Sequence, residues 1–144
     1  MQPPEPQLAR AFTAVPAAVT SARHCLLAFA ERLGASALTC ENVALAVSEA
    51  VANAVVHGYG GGPEPGMVEL RASVAPGELH VVIADDGRGL AAEPDTPGLG
   101  MGLKLMDKLA QRFEVRARRS GGVEVHMTFA LNPTPEGPAP DVRR

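Results

Sequence analysis

The stretch from Cys40 to Gly60 limits the possible folds of this chain most strongly, because it predicts one long helix. Asn, Ser and Thr residues before Val43 can cap its start, and the glycine-rich run from Gly58 to Gly62 ends it. Apolar side chains occupy nearly every direction around the helical wheel. The pattern therefore predicts a helix that is buried almost all round.

Four polar side chains of this helix share one side. They fall within roughly 80° of one another on the wheel: Asn42, Glu49, Asn53 and His57. Glu49 and Asn53 are one turn apart, so their side chains are neighbours. A carboxylate and an amide in apolar surroundings are costly unless a ligand, a metal or water satisfies them. Two interpretations follow, a helix with one solvated face and a helix that contributes to a binding site.

Composition narrows the class of protein. The chain of 144 residues is long enough for one domain, and with 46% apolar but only 3% aromatic residues its core must consist of Ala, Val and Leu. A net charge of −3 gives no reason to expect direct nucleic-acid binding. Cys25 and Cys40 are too few for a disulfide framework, and no apolar run reaches the ~18 residues of a membrane span. We expect a cytoplasmic protein with reduced thiols and no membrane contact.

The positions of the prolines and the spacing of the apolar residues predict how the chain is divided into tails, helices and strands. The proline-rich residues 1–7 and 132–144 are predicted to be disordered tails around a folded domain of residues 8–131. The element order is predicted as β-α-α-β-β-loop-α-β-β. Strands are expected at 8–15, 67–74, 78–84, 113–117 and 123–130, and helices after Pro16, at 40–60 and at 99–111. The fold class is then an α+β two-layer sandwich, a mixed, mostly antiparallel sheet with helices on one face.

Two glycine-rich segments lie before the third helix. Asp85-Asp86-Gly87-Arg88-Gly89 follows an apolar strand, where a carboxylate and glycines let the backbone approach a ligand, although Asp-Gly is also common in ordinary turns. Gly98, Gly100 and Gly102 open the helix, where free N–H groups can cradle phosphate or the glycines can form a hinge. Their spacing matches neither a P-loop nor a dinucleotide-binding turn.

The motifs in this order resemble those of the Bergerat-type, histidine-kinase-like ATPase superfamily, which includes sensor histidine kinases, MutL and the gyrase ATPase domain. The motifs are Glu49-x-x-x-Asn53, Asp85-x-Gly87-x-Gly89 and Gly98-x-Gly100-x-Gly102. Within the superfamily, SEAVANAVVHGY at 48–59 resembles the corresponding box of the anti-sigma-factor serine/threonine kinases of the RsbW and SpoIIAB type. The resemblance covers roughly residues 10–130.

The resemblance implies a role for each motif residue. Glu49 would be the catalytic general base, Asn53 would hold Mg²⁺, and Asp85 would accept a hydrogen bond from the adenine amino group. Further nucleotide-binding residues would be His57, Gly87, Gly89, Gly98, Gly100, Met101, Gly102 and Lys104. His57 could equally be a structural histidine, and Lys104 could belong to a solvated helix face. Gly98 stands where many family members carry an arginine.

The function implied is that of an ATP-binding anti-sigma factor that also phosphorylates an anti-anti-sigma (STAS) partner on serine or threonine. ATP and Mg²⁺ would be its cofactors, a sigma factor its second partner, and a homodimer is compatible with the resemblance. Two alternatives remain open, a non-catalytic nucleotide-binding interaction module and a fragment of a phosphorelay histidine kinase. The presence of Glu49 favours a kinase over the interaction module.

Overall fold

The computed structural model describes residues 7–57, 65–87, 99–119 and 121–133, and its elements follow the predicted order. The strands are β1 (Leu8–Thr13), β2 (Met67–Ala75), β3 (Glu78–Asp85), β4 (Arg112–Ala117) and β5 (Val123–Ala130). The helices are α1 (Ala17–Arg32), α2 (Ala37–His57) and α3 (Leu99–Leu109). This is the expected α+β sandwich.

The sheet has the strand order β1-β2-β3-β5-β4, with β3 in the centre. All four pairings between the described strands are antiparallel, whereas the sequence predicted a mixed, mostly antiparallel sheet. Helices α1 and α2 pack on each other and on the sheet, and α3 packs on α2. Alternate strand residues such as Leu70, Val81 and Met127 are fully buried beneath them, because successive side chains of a strand point to opposite faces.

Helix α2 begins at Ala37, earlier than the predicted Cys40, because Ser36 caps it. The Ser36 Oγ accepts a hydrogen bond from the Thr39 backbone N–H at 3.1 Å. The Thr39 hydroxyl then donates to the carbonyl of Ala130 at 2.8 Å, which ties the start of α2 to the last residue of β5.

Helix α2 is not buried all round, and this prediction was wrong for one stripe. Leu38, Leu45 and Val56 are each at least half exposed. They fall within about 20° of one another on the helical wheel, and Glu49 lies in the same narrow sector. The sheet, α1 and α3 cover other directions of α2, so Glu49 lies where this exposed stripe borders the part of α2 that α3 covers.

At the amino end, sheet hydrogen bonding starts inside the predicted tail. The Gln7 N–H donates to the Ala72 carbonyl at 2.7 Å, and the Gln7 side-chain oxygen accepts from the Val74 N–H at 2.9 Å. The other residues of both predicted tails, 1–6 and 134–144, lie outside the described residues. Cys25 and Cys40 are free and half-buried. Among the described residues, no helix is long and apolar enough to cross a membrane.

Candidate functional site

Helix α3 meets the polar side of α2 at Gly102. A Cβ atom built on Gly102 would lie 2.5 Å from the Glu49 Oε2 and 3.0 Å from the Asn53 Nδ2. Cβ atoms essentially never come within 3.0 Å of another heavy atom, so any larger residue at this position would displace the ends of these two side chains. The structure thus brings together the predicted base, the predicted metal ligand and the last glycine of the third motif.

Asn53 has an unsatisfied amide in this contact. Its side chain is buried, with 8% exposure, and its Nδ2 has no hydrogen-bond partner among the described residues. Leaving a buried polar atom unpaired costs about 1–3 kcal/mol. An amide offers both a carbonyl oxygen and an NH₂ group, so rotating it presents either to the same space. Such a group beside a glycine suits a bound ligand or ion.

Asp85 forms a second polar centre at the end of the central strand. It lies two residues beyond Ile83, so its side chain points to the helix-covered face of the sheet, where it is only 7% exposed. Its Oδ1 accepts the Gly87 N–H at 3.0 Å, and the Val123 N–H also donates to its carboxylate. A carboxylate retains acceptor capacity beyond two such bonds.

Burial dominates the electrostatics of Asp85. Desolvation raises the pKa of the Asp85 carboxyl above its ordinary value, since the charged form loses contact with water. The N–H donors of Gly87 and Val123 and the charge of Arg118 oppose that rise, and neighbouring Asp86 adds to it.

The amino end of α3 supplies backbone donors. The helix begins at Leu99, so Gly100 and Gly102 lie within its first four residues, whose N–H groups have no partner inside the helix. Its first turn carries no acidic side chain. Unpaired N–H groups and the positive end of the helix dipole favour phosphate oxygens.

Not every predicted site residue is brought to this contact. Lys104 is exposed and lies about 200° round α3 from Gly102, so the helix does not direct it toward Glu49. His57 is the last residue of α2, but its side chain and that of Met101 lie outside the description. Gly89 and Gly98 fall outside the described residues.

A known protein family matches almost the whole of the folded domain. Residues 12–129 match the family model described as "Histidine kinase-like ATPase domain". The chain belongs to this family. Membership in a family of ATPase domains implies ATP as the ligand. The buried, unsatisfied Asn53 amide beside the first turn of α3 fits a nucleotide with its metal ion.

Within the histidine kinase-like ATPase family, the chain is similar to anti-sigma F factors. It is 30% identical to that of Clostridium acetobutylicum over 123 residues, covering 76% of this chain and 85% of the relative. It is 28% identical to that of Bacillus cytotoxicus over 132 residues, covering 84% of this chain and 90% of the relative.

Two solved structures share the fold. The RsbU and RsbW domains of a Mycobacterium tuberculosis protein superpose with a TM-score of 0.67 at 24% identity. That match covers 88% of this chain and 33% of the other. The histidine kinase domain of a blue-light activated histidine kinase from Erythrobacter litoralis gives a TM-score of 0.54 at 33% identity, over 65% of this chain and 45% of the other. The chain thus spans only a third to a half of these solved chains.

Sequence reasoning missed three residues around Asp85. Arg118, Gly122 and Val123 contact its carbonyl or its carboxylate from the ends of β4 and β5. The only signal in the sequence was the pair Gly121-Gly122, and it predicted only a turn between the last two strands.

Proposed function

We propose that the protein is an ATP-dependent serine/threonine kinase that also acts as an anti-sigma factor. The observation that carries the proposal is the contact of Glu49 and Asn53 with Gly102, because it places a carboxylate and an unsatisfied amide beside backbone suited to phosphate. The similarity to proteins named anti-sigma F factors supports the second role. The proposed partners are a sigma factor and an anti-anti-sigma STAS protein.

In this proposal the phosphate end of the nucleotide lies between α2 and α3. Asn53 would hold Mg²⁺ through its side-chain oxygen, a hard ligand of the kind that this ion prefers. The backbone N–H groups of Gly100 and Gly102 would face phosphate oxygens. When bound, Mg²⁺ neutralises part of the phosphate charge that opposes attack by a nucleophile.

Glu49 would act on the incoming hydroxyl. The oxygen of the partner's serine or threonine forms a bond to the γ-phosphorus, and the bond from that phosphorus to the β,γ-bridging oxygen breaks to release ADP. The hydroxyl proton passes to the Glu49 carboxylate, which is half-buried and lies on the outward stripe of α2, where a partner can approach. The step therefore needs no reactant beyond ATP and the partner.

Asp85 would select the base. Its buried carboxylate can accept a hydrogen bond from the amino group of adenine, whereas guanine carries an acceptor oxygen at the equivalent position. Two acceptors facing one another repel, so the same residue that binds ATP would reject GTP.

The proposal extends to the cellular setting. Sigma factors act in transcription, so the protein would work in the cytoplasm. A homodimer would present two such sites. The sigma-factor role rests on the names of the relatives, and the STAS substrate on the resemblance to RsbW-type kinases.

Transfer from γ-labelled ATP to a candidate STAS protein tests the proposal, with the product analysed as phosphoserine or phosphothreonine. A labelled serine or threonine that requires both Mg²⁺ and the STAS protein is the expected result. Tight ATP binding without transfer to any STAS protein would instead identify an interaction module. Label that appears on histidine would identify a phosphorelay kinase.

A further inference from the structure

Arg118 holds the backbone of Asp85 from a distant part of the chain. Its Nη1 donates a hydrogen bond to the Asp85 carbonyl at 3.0 Å, and the side chain is only 19% exposed. Arg118 follows directly after β4, whereas Asp85 ends β3, and β5 lies between these two strands in the sheet. The guanidinium therefore reaches across the end of β5 to the last residue of the central strand.

Two neighbours of Arg118 contact the same residue. Gly122 adopts a φ of +91°, and a Cβ on it would collide with the Asp85 carbonyl. The Val123 N–H donates to the Asp85 carboxylate. Arg118 and Gly122 are themselves joined, since the Arg118 N–H donates to the Gly122 carbonyl at 3.0 Å. Both the main chain and the side chain of Asp85 are thus fixed by residues that flank the β4–β5 connection.

Acidic side chains on the open face of the sheet hold the Arg118 guanidinium in place. Its Nη2 lies 3.5 Å from the Glu69 Oε2, and its Nε lies 3.9 Å from the Glu124 Oε2. Glu124 is in turn bound by Arg71 at 3.1 Å and by His126 at 2.8 Å. A guanidinium with several fixed partners loses little further entropy when it orients another group.

We propose that Arg118 is a positioning residue for adenine selection, which it performs by holding the Asp85 carbonyl and so the direction of the Asp85 carboxylate. This inference rests on the proposed role of Asp85. Arg118 does not touch the nucleotide in this scheme. Its positive charge also favours the ionised form of Asp85, the form that is only an acceptor.

The test compares the full-length variants Arg118→Met and Arg118→Lys with the wild type. The matched control is Arg116→Met, since Arg116 is an exposed arginine of β4 whose hydrogen bonds go to Glu114 on the same strand. Calorimetry would measure binding of ATP, GTP and inorganic tripolyphosphate, each with Mg²⁺. Tripolyphosphate reports the phosphate end alone.

Arg118→Met should lower the affinity for ATP by about tenfold, the scale of one hydrogen bond to a charged group. Its affinities for GTP and tripolyphosphate should not change. Arg118→Lys keeps the charge and one donor and should recover part of the loss. The pH at which ATP affinity is half-maximal should rise in Arg118→Met, because the charge that stabilises ionised Asp85 is gone. Arg116→Met should match the wild type.

A second pair of variants separates positioning from backbone strain. Gly121 and Gly122 both have positive φ, of +97° and +91°, so alanine strains the backbone at either position. Among the described residues, the Cβ at Gly122 meets Asp85, while one at Gly121 has no atom within 4 Å. Gly122→Ala should therefore reduce the preference for ATP over GTP, and Gly121→Ala should not.

The possible failures are distinct. A wild-type protein with no preference for ATP over GTP would overturn the assignment of Asp85 and this inference together. A wild-type preference that survives unchanged in Arg118→Met would overturn this inference alone. Equal losses for ATP and tripolyphosphate would show that Arg118 supports the domain in general and does not position Asp85.

Discussion

Gly102 lies so close to Glu49 that a Cβ on the glycine would be 2.5 Å from the carboxylate Oε2. The two residues come from different helices and are far apart in the sequence, so the packing of α3 on α2 brings them together. It also leaves Asn53 Nδ2 beside the same point, buried and without a partner among the described residues. The packing of two helices has thus placed a carboxylate and an unpaired amide together against the first turn of α3.

The first prediction concerns Gly102→Ala. The added methyl group would push Glu49 and Asn53 from their positions, so affinity for ATP with Mg²⁺ should fall by roughly tenfold or more. Alanine at a helical position is favoured over glycine by about 1 kcal/mol, which offsets part of the steric cost to stability. Titration calorimetry and thermal unfolding of the same sample measure both effects. ATP binding at the wild-type affinity would contradict a nucleotide between α2 and α3.

The second prediction concerns Asp85→Asn. Loss of the charged acceptor should weaken ATP binding by about 1–3 kcal/mol and narrow the difference in affinity between ATP and GTP. Because burial raises the pKa of Asp85 in the folded protein, the wild type loses stability as pH rises from the unfolded pKa through the folded pKa.

That loss is absent in the variant, which has no carboxyl at this position. Asp85→Asn without ligand should therefore melt higher than the wild type above the folded pKa of Asp85. The gap should shrink as pH falls through that folded pKa toward about 4, the ordinary range of an aspartate. Thermal unfolding across this pH range measures it. A gap that grows on acidification would contradict the direction of the pKa shift.

Sequence reasoning succeeded where the signal is local. The order of the eight elements follows from period-two and helical spacing within each segment, and β5 was predicted with the bounds that the structure shows, Val123–Ala130. The proximity of Glu49 and Asn53 follows from their spacing of one helical turn. That they share a site with Gly102 was implied only by the resemblance, because local residue spacing does not determine how two helices pack.

Two features could not be predicted. The exposed stripe of Leu38, Leu45 and Val56 is apolar, so hydrophobicity alone cannot show that none of the described helices or strands covers it. The hydrogen bond from Arg118 to Asp85 joins residues 33 positions apart and depends on β5 lying between β3 and β4. An arginine beside a turn is indistinguishable in sequence from one on a solvated strand.

The third prediction concerns His80 on the open face of the sheet. Burial lowers the pKa of His80, and the neighbouring charges of His126, Arg116 and Arg112 lower it further, whereas Glu78 opposes them. A depressed folded pKa gives stability that is fully present above the unfolded value of 6.5 and is lost as pH falls through the folded pKa.

His80→Gln should therefore lose less stability than the wild type between pH 7 and pH 5. His24→Gln is the control, since His24 is exposed on α1. Melting temperatures over this interval measure the difference. Identical pH profiles for the wild type and His80→Gln would show that another group controls the response to acid.

The last prediction separates nucleotide binding from phosphoryl transfer. Asn53→Ala removes the proposed metal ligand, so ATP affinity in the presence of Mg²⁺ and transfer should both fall. It also removes a buried amide whose Nδ2 has no partner in the described part of the chain, so the variant should keep its melting temperature better than most truncations of buried residues.

Glu49→Gln keeps the shape of the side chain but removes the base. Binding should survive, while transfer to a STAS protein should fall by about 10²–10⁴-fold, the usual scale of general-base catalysis. Single-turnover transfer of the γ-phosphate, with calorimetry of the same preparations, distinguishes the two variants. Transfer by Glu49→Gln at the wild-type rate would show that Glu49 has no catalytic role and is only a partly exposed carboxylate of α2.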